Sequence, residues 1–270
     1  MSNTSLSLRD RMKRYESVSK NYLMRRQPVI IRLDGVGFHT FTKGFEKPFD
    51  DNLMDIMQDT MVYLCENVQG CVIGYTQSDE ISLVLCDYQK LDTDAWFGYN
   101  VQKLTSVSAS LATFIFNRKF RDLVDSLYIS SDECDDMVND MTLQQYYDNL
   151  CAAAHKGAMF DARAFTVPIR EVNNYLLWRQ RDATRNSIQA LAQSLYSHKE
   201  LVGMSNKVLQ NKMFTEKGVN WNDLSTCEKR GSCCIYKDGH WCIDYEIPIF
   251  SQCPDYVNSR IIFNYSKEEI

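Results

Sequence analysis

A chain of 270 residues with 44% hydrophobic and 24% charged side chains can bury a substantial core, as one large domain or as a core domain with elaborations. No apolar run approaches a membrane span, and the opening Met-Ser-Asn-Thr-Ser carries no basic segment followed by an apolar one, so neither a membrane protein nor a secreted one is expected. A cytoplasmic location follows, with the ten cysteines as reduced thiols, and a net charge of −5 does not by itself mark a nucleic-acid binder.

The charge is unevenly placed. Arg9, Arg11, Lys13, Arg14, Lys20, Arg25 and Arg26 stand against Asp10 and Glu16 alone, and Arg9 to about Lys20 reads as a charged amphipathic helix. Such an arm serves equally as a solvated face or as a phosphate contact. Pro28 to Leu33 is apolar and β-branched apart from Arg32 and stops at Asp34-Gly35, which predicts the first core strand. A glycine-containing loop runs from Gly35 to Lys47. Asp50 or Asp51 then caps a helix to about Asn67, with Leu53, Ile56, Met57, Thr60, Met61 and Leu64 on one face. Cys71 to Leu85 reads as a hairpin around Gln77-Ser78-Asp79-Glu80, and Tyr99 to Arg118 as a second helix. Residues 119–158 form a weakly patterned acidic insertion, partly helical: Asp122, Asp125, Asp132, Glu133, Asp135, Asp136, Asp140 and Asp148 meet no Lys or Arg between 122 and 148. Phe160 to Val167 is a further strand, Arg170 to Ser197 a long helix, and a late hairpin surrounds Gly239.

This order predicts an α+β fold of ferredoxin-like βαββαβ layout, with helices covering one face of an antiparallel sheet. The first strand is expected beside the first strand of the hairpin, which brings Asp34 and Asp79 to one sheet edge. Carboxylates at the ends of core strands are costly to bury unpaired, and a bound cation is the usual compensation. Two-metal phosphoryl transfer requires such a pair on rigid elements. Each motif alone also reads as a turn, Asp-Gly as a tight-turn dipeptide and Ser-Asp-Glu as a hairpin tip. Together, on neighbouring strands, they favour a functional site. Cys227, Cys233, Cys234, Cys242 and Cys253 crowd the C-terminal part around His240 without a Cys-x-x-Cys pair, so they are expected as buried small hydrophobes and not as a zinc site.

Five ordered motifs carry a resemblance: Arg32-Leu33-Asp34-Gly35 with Phe38-His39; Lys47-Pro48-Phe49-Asp50; Gly74 to Ser82; Phe160-Asp161-Ala162-Arg163; and Trp178-Arg179-Gln180-x-Asp182. Over about residues 8–120 and 158–235 the chain resembles the tRNA-histidine guanylyltransferase superfamily, reverse polymerases that add nucleotides to the 5′ end of tRNA in the 3′-to-5′ direction. The resemblance implies a palm-like catalytic domain over 28–200, preceded by the basic helical arm 1–27 and followed by a C-terminal extension, 201–270, packed on it. It implies two Mg²⁺ ions held by Asp34, Asp79 and the carbonyl of Gly35, with Glu80 important to activity. It also implies nucleotide binding at Asp34, Gly35, Val36, Gly37, Phe38, His39, Lys47, Ser78 and Asp79. RNA contact is implied for Lys103, Arg179, Gln180, Asp182 and Asn186. Unaided, Lys47 reads as a solvated lysine and the arginines of the long helix as a solvated stripe. Asn100 stands where the family carries a phosphate-contacting arginine.

The implied reaction uses ATP to adenylylate the 5′ end of tRNA, and the 3′-hydroxyl of GTP or another nucleotide then attacks that end. A homotetramer sharing tRNA between subunits is implied too. In the eukaryotic histidine-specific enzymes a His-Ile-Asn-Asn segment follows the Trp-Arg-Gln-x-Asp motif. Here Ala183-Thr184-Arg185-Asn186-Ser187 keeps only Asn186, which resembles the guanylyltransferase-like branch that repairs tRNA 5′ ends on a template. Addition of the extra G to histidine tRNA is the second reading. A non-catalytic palm domain and a nucleotide cyclase are the others. The retained acids oppose the first of these, and the Trp-Arg-Gln-x-Asp helix and the Lys-Pro motif oppose the second.

Overall fold

The computed structural model describes residues 6–133 and 141–263, the side chains at 128–133 and 141–142 excepted. Strands β1 (Val29–Gly35), β2 (Cys71–Gln77), β3 (Glu80–Leu85), β4 (Phe160–Thr166), β5 (Ser232–Lys237) and β6 (His240–Asp244) form one sheet in the order β4-β1-β3-β2-β5-β6, every neighbouring pair antiparallel. The α+β, ferredoxin-like expectation holds, with the late hairpin continuing the sheet beyond β2.

Two details differ from the sequence reading. The neighbour of β1 is β3, the second strand of the hairpin, and not β2. β1 and β2 are parallel and joined through a helix, a crossover that leaves a gap one strand wide. β3 folds back into that gap through the two-residue turn Ser78-Asp79. The carboxyl end of β1 and the turn after β2 still meet at one edge, because the two strands run the same way. The second difference is that helices cover both faces of the sheet. Val29, Ile31 and Leu33 point into one core, and Ile30 into the other. This is why β1 to β3 read as largely apolar runs, without the alternation of a half-solvated sheet. Each fully buried aliphatic side chain there contributes roughly 1.5–3 kcal/mol of transfer free energy.

The first core is closed by α3 (Asp51–Asn67), α4 (Val101–Glu133) and α5 (Met141–Lys156). Asp50 starts α3 as predicted, its carboxylate accepting the Leu53 N–H at 2.9 Å. The second core lies under α6 (Val172–Leu195) and α10 (Asp255–Ile261). A satellite core joins the end of α6 to α7 (His198–Leu201) and α8 (Asn206–Lys217) through Ile188, Leu191, Leu209 and Met213. Short helices α2 (Phe38–Phe41) and α9 (Thr226–Arg230) flank the sheet edge that carries Asp34.

The N-terminal helix α1 (Leu8–Val18) buries no residue. The acidic insertion is helical over 119–133 and 141–156. α4 runs on past Arg118 to Glu133, and α5 delivers Leu150 and Ala153 to the first core. Asp135, Asp136 and Asp140 lie outside the described residues. Cys65, Cys71, Cys86, Cys233 and Cys234 are buried, as expected of small hydrophobes, whereas Cys227 and Cys242 are half-buried and Cys253 is exposed. Among the described residues no helix is long and apolar enough to cross a membrane.

Candidate active site

Asp34 lies on the last turn of the β1 pleat, opposite Glu80 of β3 and Asp161 of β4. The next residue fixes the geometry. The Gly35 N–H donates to the Asp79 carbonyl at 3.0 Å, tying the end of β1 to the β2–β3 turn. The chain needs glycine here because a Cβ on Gly35 would overlap the buried Phe38 ring. That ring packs on Phe41, Phe116 and Phe160 and forms the floor of the edge. Gly37 has φ +65°, the left-handed region that glycine enters without strain, and it turns the chain into α2. Among the described residues the N–H groups of Gly37, Phe38 and His39 have no acceptor.

The two aspartates are electrostatically unlike. Asp34 is partly exposed and lies 3.4 Å from the Arg32 guanidinium. Burial pushes the Asp79 carboxyl above its ordinary range, and the neighbouring Asp34 charge adds to the shift. The Asp79 backbone N–H and the Ser78 hydroxyl, whose Oγ lies 3.2 Å away, oppose the shift without cancelling it. Asp34 and Asp79 thus bring hard oxygen donors to one end of the sheet, Asp34 beside Arg32 and Asp79 with no ion pair among the described residues. Such a set fits a hydrated divalent cation such as Mg²⁺.

Glu80 has a different environment. It is buried and accepts both Nε–H and Nη2–H of Arg179, at 2.6 and 2.7 Å, with Arg32 Nε 3.7 Å away. Burial raises its carboxyl pKa and Arg179 opposes the shift, leaving it above the ordinary range. Arg179 also reaches Asp182 at 3.0 Å, and Asp182 in turn pairs with Arg185. The neighbouring helical turn anchors α6 to the same strand, where the Tyr175 and Ser82 hydroxyls are 2.8 Å apart.

A cavity of about 420 Å³ opens beside Asp79. Ser78 and His39 line it from the sheet edge, Lys47 from the loop before α3, and Asn186 from α6. Ala183 and Ser187 line it too, so the segment that separates the two branches of the resemblance forms part of this wall.

The sequence-predicted residues therefore divide. Asp34, Gly35, Val36, Gly37, Phe38, His39, Ser78 and Asp79 gather at one edge, with Lys47 across the cavity. Asn186, expected among RNA contacts, lines the cavity next to them. Arg179 and Gln180, also expected among the RNA contacts, are buried and bonded within the fold. The guanidinium of Arg179 is taken by two carboxylates, and Gln180 donates to the Pro248 carbonyl and accepts from Phe250 N–H. The side chain of Asp182 is tied to these arginines as well. Lys103 is exposed in the first turn of α4, ten residues before Thr113, whose hydroxyl accepts the N–H of Phe160, the ladder partner of Gly35. That is about 15 Å along the helix from the edge. Asn100 caps α4, its side chain accepting the Lys103 N–H at 3.0 Å. Arg32, a charge inside an otherwise apolar strand, lies 3.4 Å from Asp34 and 3.7 Å from Glu80 and so stands between the two acids.

The model of the family described as tRNAHis guanylyltransferase matches residues 9–168. The chain belongs to the tRNAHis guanylyltransferase family. An uncharacterized protein of Acanthamoeba polyphaga mimivirus is 29% identical over 233 residues, covering 82% of this chain and 74% of its own length. Among solved structures, a bacterial tRNA(His) guanylyltransferase-like protein in complex with ATP superposes with a TM-score of 0.81 at 43% identity, covering 94% of this chain and 99% of that one. A bacterial guanylyltransferase-like protein in complex with GTP gives 0.74 at 38% identity, covering 94% and 98%. The family match spans β1 to β4 and so includes Asp34, Glu80 and the β2–β3 turn with Asp79.

Proposed function

We propose that this member of the tRNAHis guanylyltransferase family is a Mg²⁺-dependent nucleotidyltransferase that extends the 5′ end of tRNA in the 3′-to-5′ direction, with templated 5′-end repair as its task. The observation that carries the reading is the junction of Asp34 and Asp79 through the Gly35–Asp79 backbone bond, beside a cavity with cationic and hydroxyl groups on its wall. Solved relatives at 43% and 38% identity hold ATP and GTP.

Asp34, Asp79 and the Gly35 carbonyl would hold the metal. What a bound Mg²⁺ pair supplies is neutralisation of phosphate charge and a lowered pKa for the attacking 3′-hydroxyl. The residues of the chain do the rest. Lys47 and Ser78 hold the triphosphate, and the unpaired N–H groups of Gly37, Phe38 and His39 face the same anion. Phe38 contributes its backbone, since its ring belongs to the core. Glu80, fixed by Arg179, sets the direction of the turn that presents Asp79. The 3′-hydroxyl of the held nucleotide attacks the adenylylated 5′ phosphate, the new phosphodiester forms, and AMP leaves.

The templated reading over histidine-specific G addition rests on Ala183 to Ser187, of which Ala183, Asn186 and Ser187 line the cavity wall, where the histidine-specific enzymes carry a different segment. The proposal includes a cytoplasmic homotetramer. The wholly exposed α1, with Leu8, Met12, Tyr15 and Val18 beside its basic residues, supports a partner surface. The test offers 5′-truncated tRNAs carrying each of the four bases opposite the missing position, with ATP and each nucleotide. Incorporation that follows the opposing base supports repair. Equal addition of G opposite A and opposite C supports the histidine-specific reading.

A further inference from the structure

We propose that helix α5, the C-terminal part of the acidic insertion, clamps the loop that carries Lys47, with Tyr146 and Asn149 as positioning residues for nucleotide binding. This rests on the nucleotide site proposed above and assigns it a further pair of residues.

The loop from Gly44 to Asp50 supplies Phe45, Glu46, Lys47, Pro48, Phe49 and Asp50 to the cavity wall. It has no strand partner, and α5 holds it at both ends. At the far end the Tyr146 hydroxyl donates to Asp50 Oδ2 at 2.9 Å and accepts from Asn52 Nδ2 at 3.0 Å. The direction is fixed, since a carboxylate only accepts and an amide NH₂ only donates. The same Asp50 oxygen takes the Glu46 N–H at 3.1 Å, and the other takes the Leu53 N–H, so the carboxylate closes the loop onto the start of α3. At the near end Asn149, one turn along α5, donates to the Gly44 carbonyl at 3.1 Å. Gly44 has φ +87°, and a Cβ there would overlap the Asn149 amide, so the helix and the loop meet at closest approach. Between the two ends the Tyr146 ring meets Phe45 edge-on, with centroids 6.5 Å apart.

Lys47 stands between these anchors, exposed and with no ion pair among the described residues. A lysine on a free loop loses rotamer and backbone entropy when it grips a phosphate. A loop fixed at Gly44 and Asp50 has lost the backbone part already. The clamp touches neither the sheet edge with Asp34 and Asp79 nor α6, so it acts on nucleotide affinity and not on the aspartates.

The test uses the full chain. GTP and ATP affinities are measured by calorimetry with MgCl₂, and steady-state constants with a 5′-truncated tRNA, for wild type, Tyr146→Phe, Asn149→Ala and Lys47→Ala. Tyr146→Phe keeps the ring against Phe45 and removes only the hydroxyl. Each clamp variant is expected to weaken nucleotide binding roughly three- to ten-fold, the worth of one positioning hydrogen bond. KM for nucleotide rises, kcat stays within about two-fold and tRNA affinity is unchanged, because the effect is on ground-state binding. Amide exchange at Glu46 accelerates in Tyr146→Phe. Wild-type nucleotide affinity in both clamp variants, with Lys47→Ala impaired, overturns the clamp and leaves the site reading standing. A wild-type protein that binds neither nucleotide overturns the site reading itself.

Discussion

Arg179 grips Glu80 with two parallel hydrogen bonds of 2.6 and 2.7 Å in a buried setting, across 99 residues of sequence. The pair joins α6 to the first residue of β3, directly after Asp79. It is the route by which the long helix bears on the candidate metal edge. Breaking a buried pair leaves an uncompensated charge, which costs about 3–5 kcal/mol. Arg179→Ala and Glu80→Ala are each expected to lower stability by about that amount in urea unfolding. Replacing both together costs less than the sum of the two, and additive losses would show that the pair does not act as a unit.

Asp79 presents the opposite case. Its carboxyl lies above the ordinary range in the folded chain, so between the unfolded and folded pKa values the unfolded state binds fewer protons. Stability contributed by the protonated group is therefore fully present at low pH and is lost as pH rises through the folded value. Asp79→Asn removes that loss. In metal-free buffer at pH 7 the variant is expected to be at least as stable as wild type, while 5′ extension falls by roughly 10³-fold or more. Urea midpoints across pH 4 to 8, paired with the extension assay, check both halves. A strongly destabilised Asp79→Asn contradicts an uncompensated acid.

Gly35→Ala places a methyl group inside the Phe38 ring. The ring belongs to a cluster with Phe41, Phe116 and Phe160 and has little room to retreat. Overpacking of this kind costs about 1–3 kcal/mol, and it also strains the Gly35–Asp79 bond. Thermal unfolding is expected to shift downward, with activity lost even below the new midpoint. A fully active, equally stable variant would contradict the tight approach.

Asn186 separates two roles. Because it lines the cavity with Ser78 and Lys47, Asn186→Ala is expected to raise KM for nucleotide several-fold, the scale of one lost hydrogen bond. Affinity for tRNA measured by filter binding stays the same. An effect on tRNA affinity alone returns Asn186 to the RNA contacts.

Much of the edge was legible before any coordinates. Asp34, Gly35, Ser78 and Asp79 are local signals, strand ends whose turn residues and acids stand out from apolar runs. Their meeting survived a wrong choice of neighbour strand, since β2 runs parallel to β1 whichever strand lies between. The burial of Arg179 and Gln180 is not legible in the sequence, for a definite reason. Helical spacing places a residue on a face but does not say what covers that face. Glu80, which consumes Arg179, and Phe250, which consumes Gln180, are remote in sequence.

The insertion illustrates the same boundary. Its acidic composition was plain, yet Tyr146 and Asn149 carried no signal, because each has a partner about a hundred residues earlier. The α+β order, the two aspartates and the family motifs are matters of local pattern and chain order, and the chain's residues alone carry them. That helices close both faces of the sheet, that Glu80 and Arg179 neutralise each other, and that α5 reaches the Lys47 loop is visible in the fold alone. Each of these depends on which buried group finds a compensating partner across the fold, and that pairing is set by the packed arrangement of distant segments.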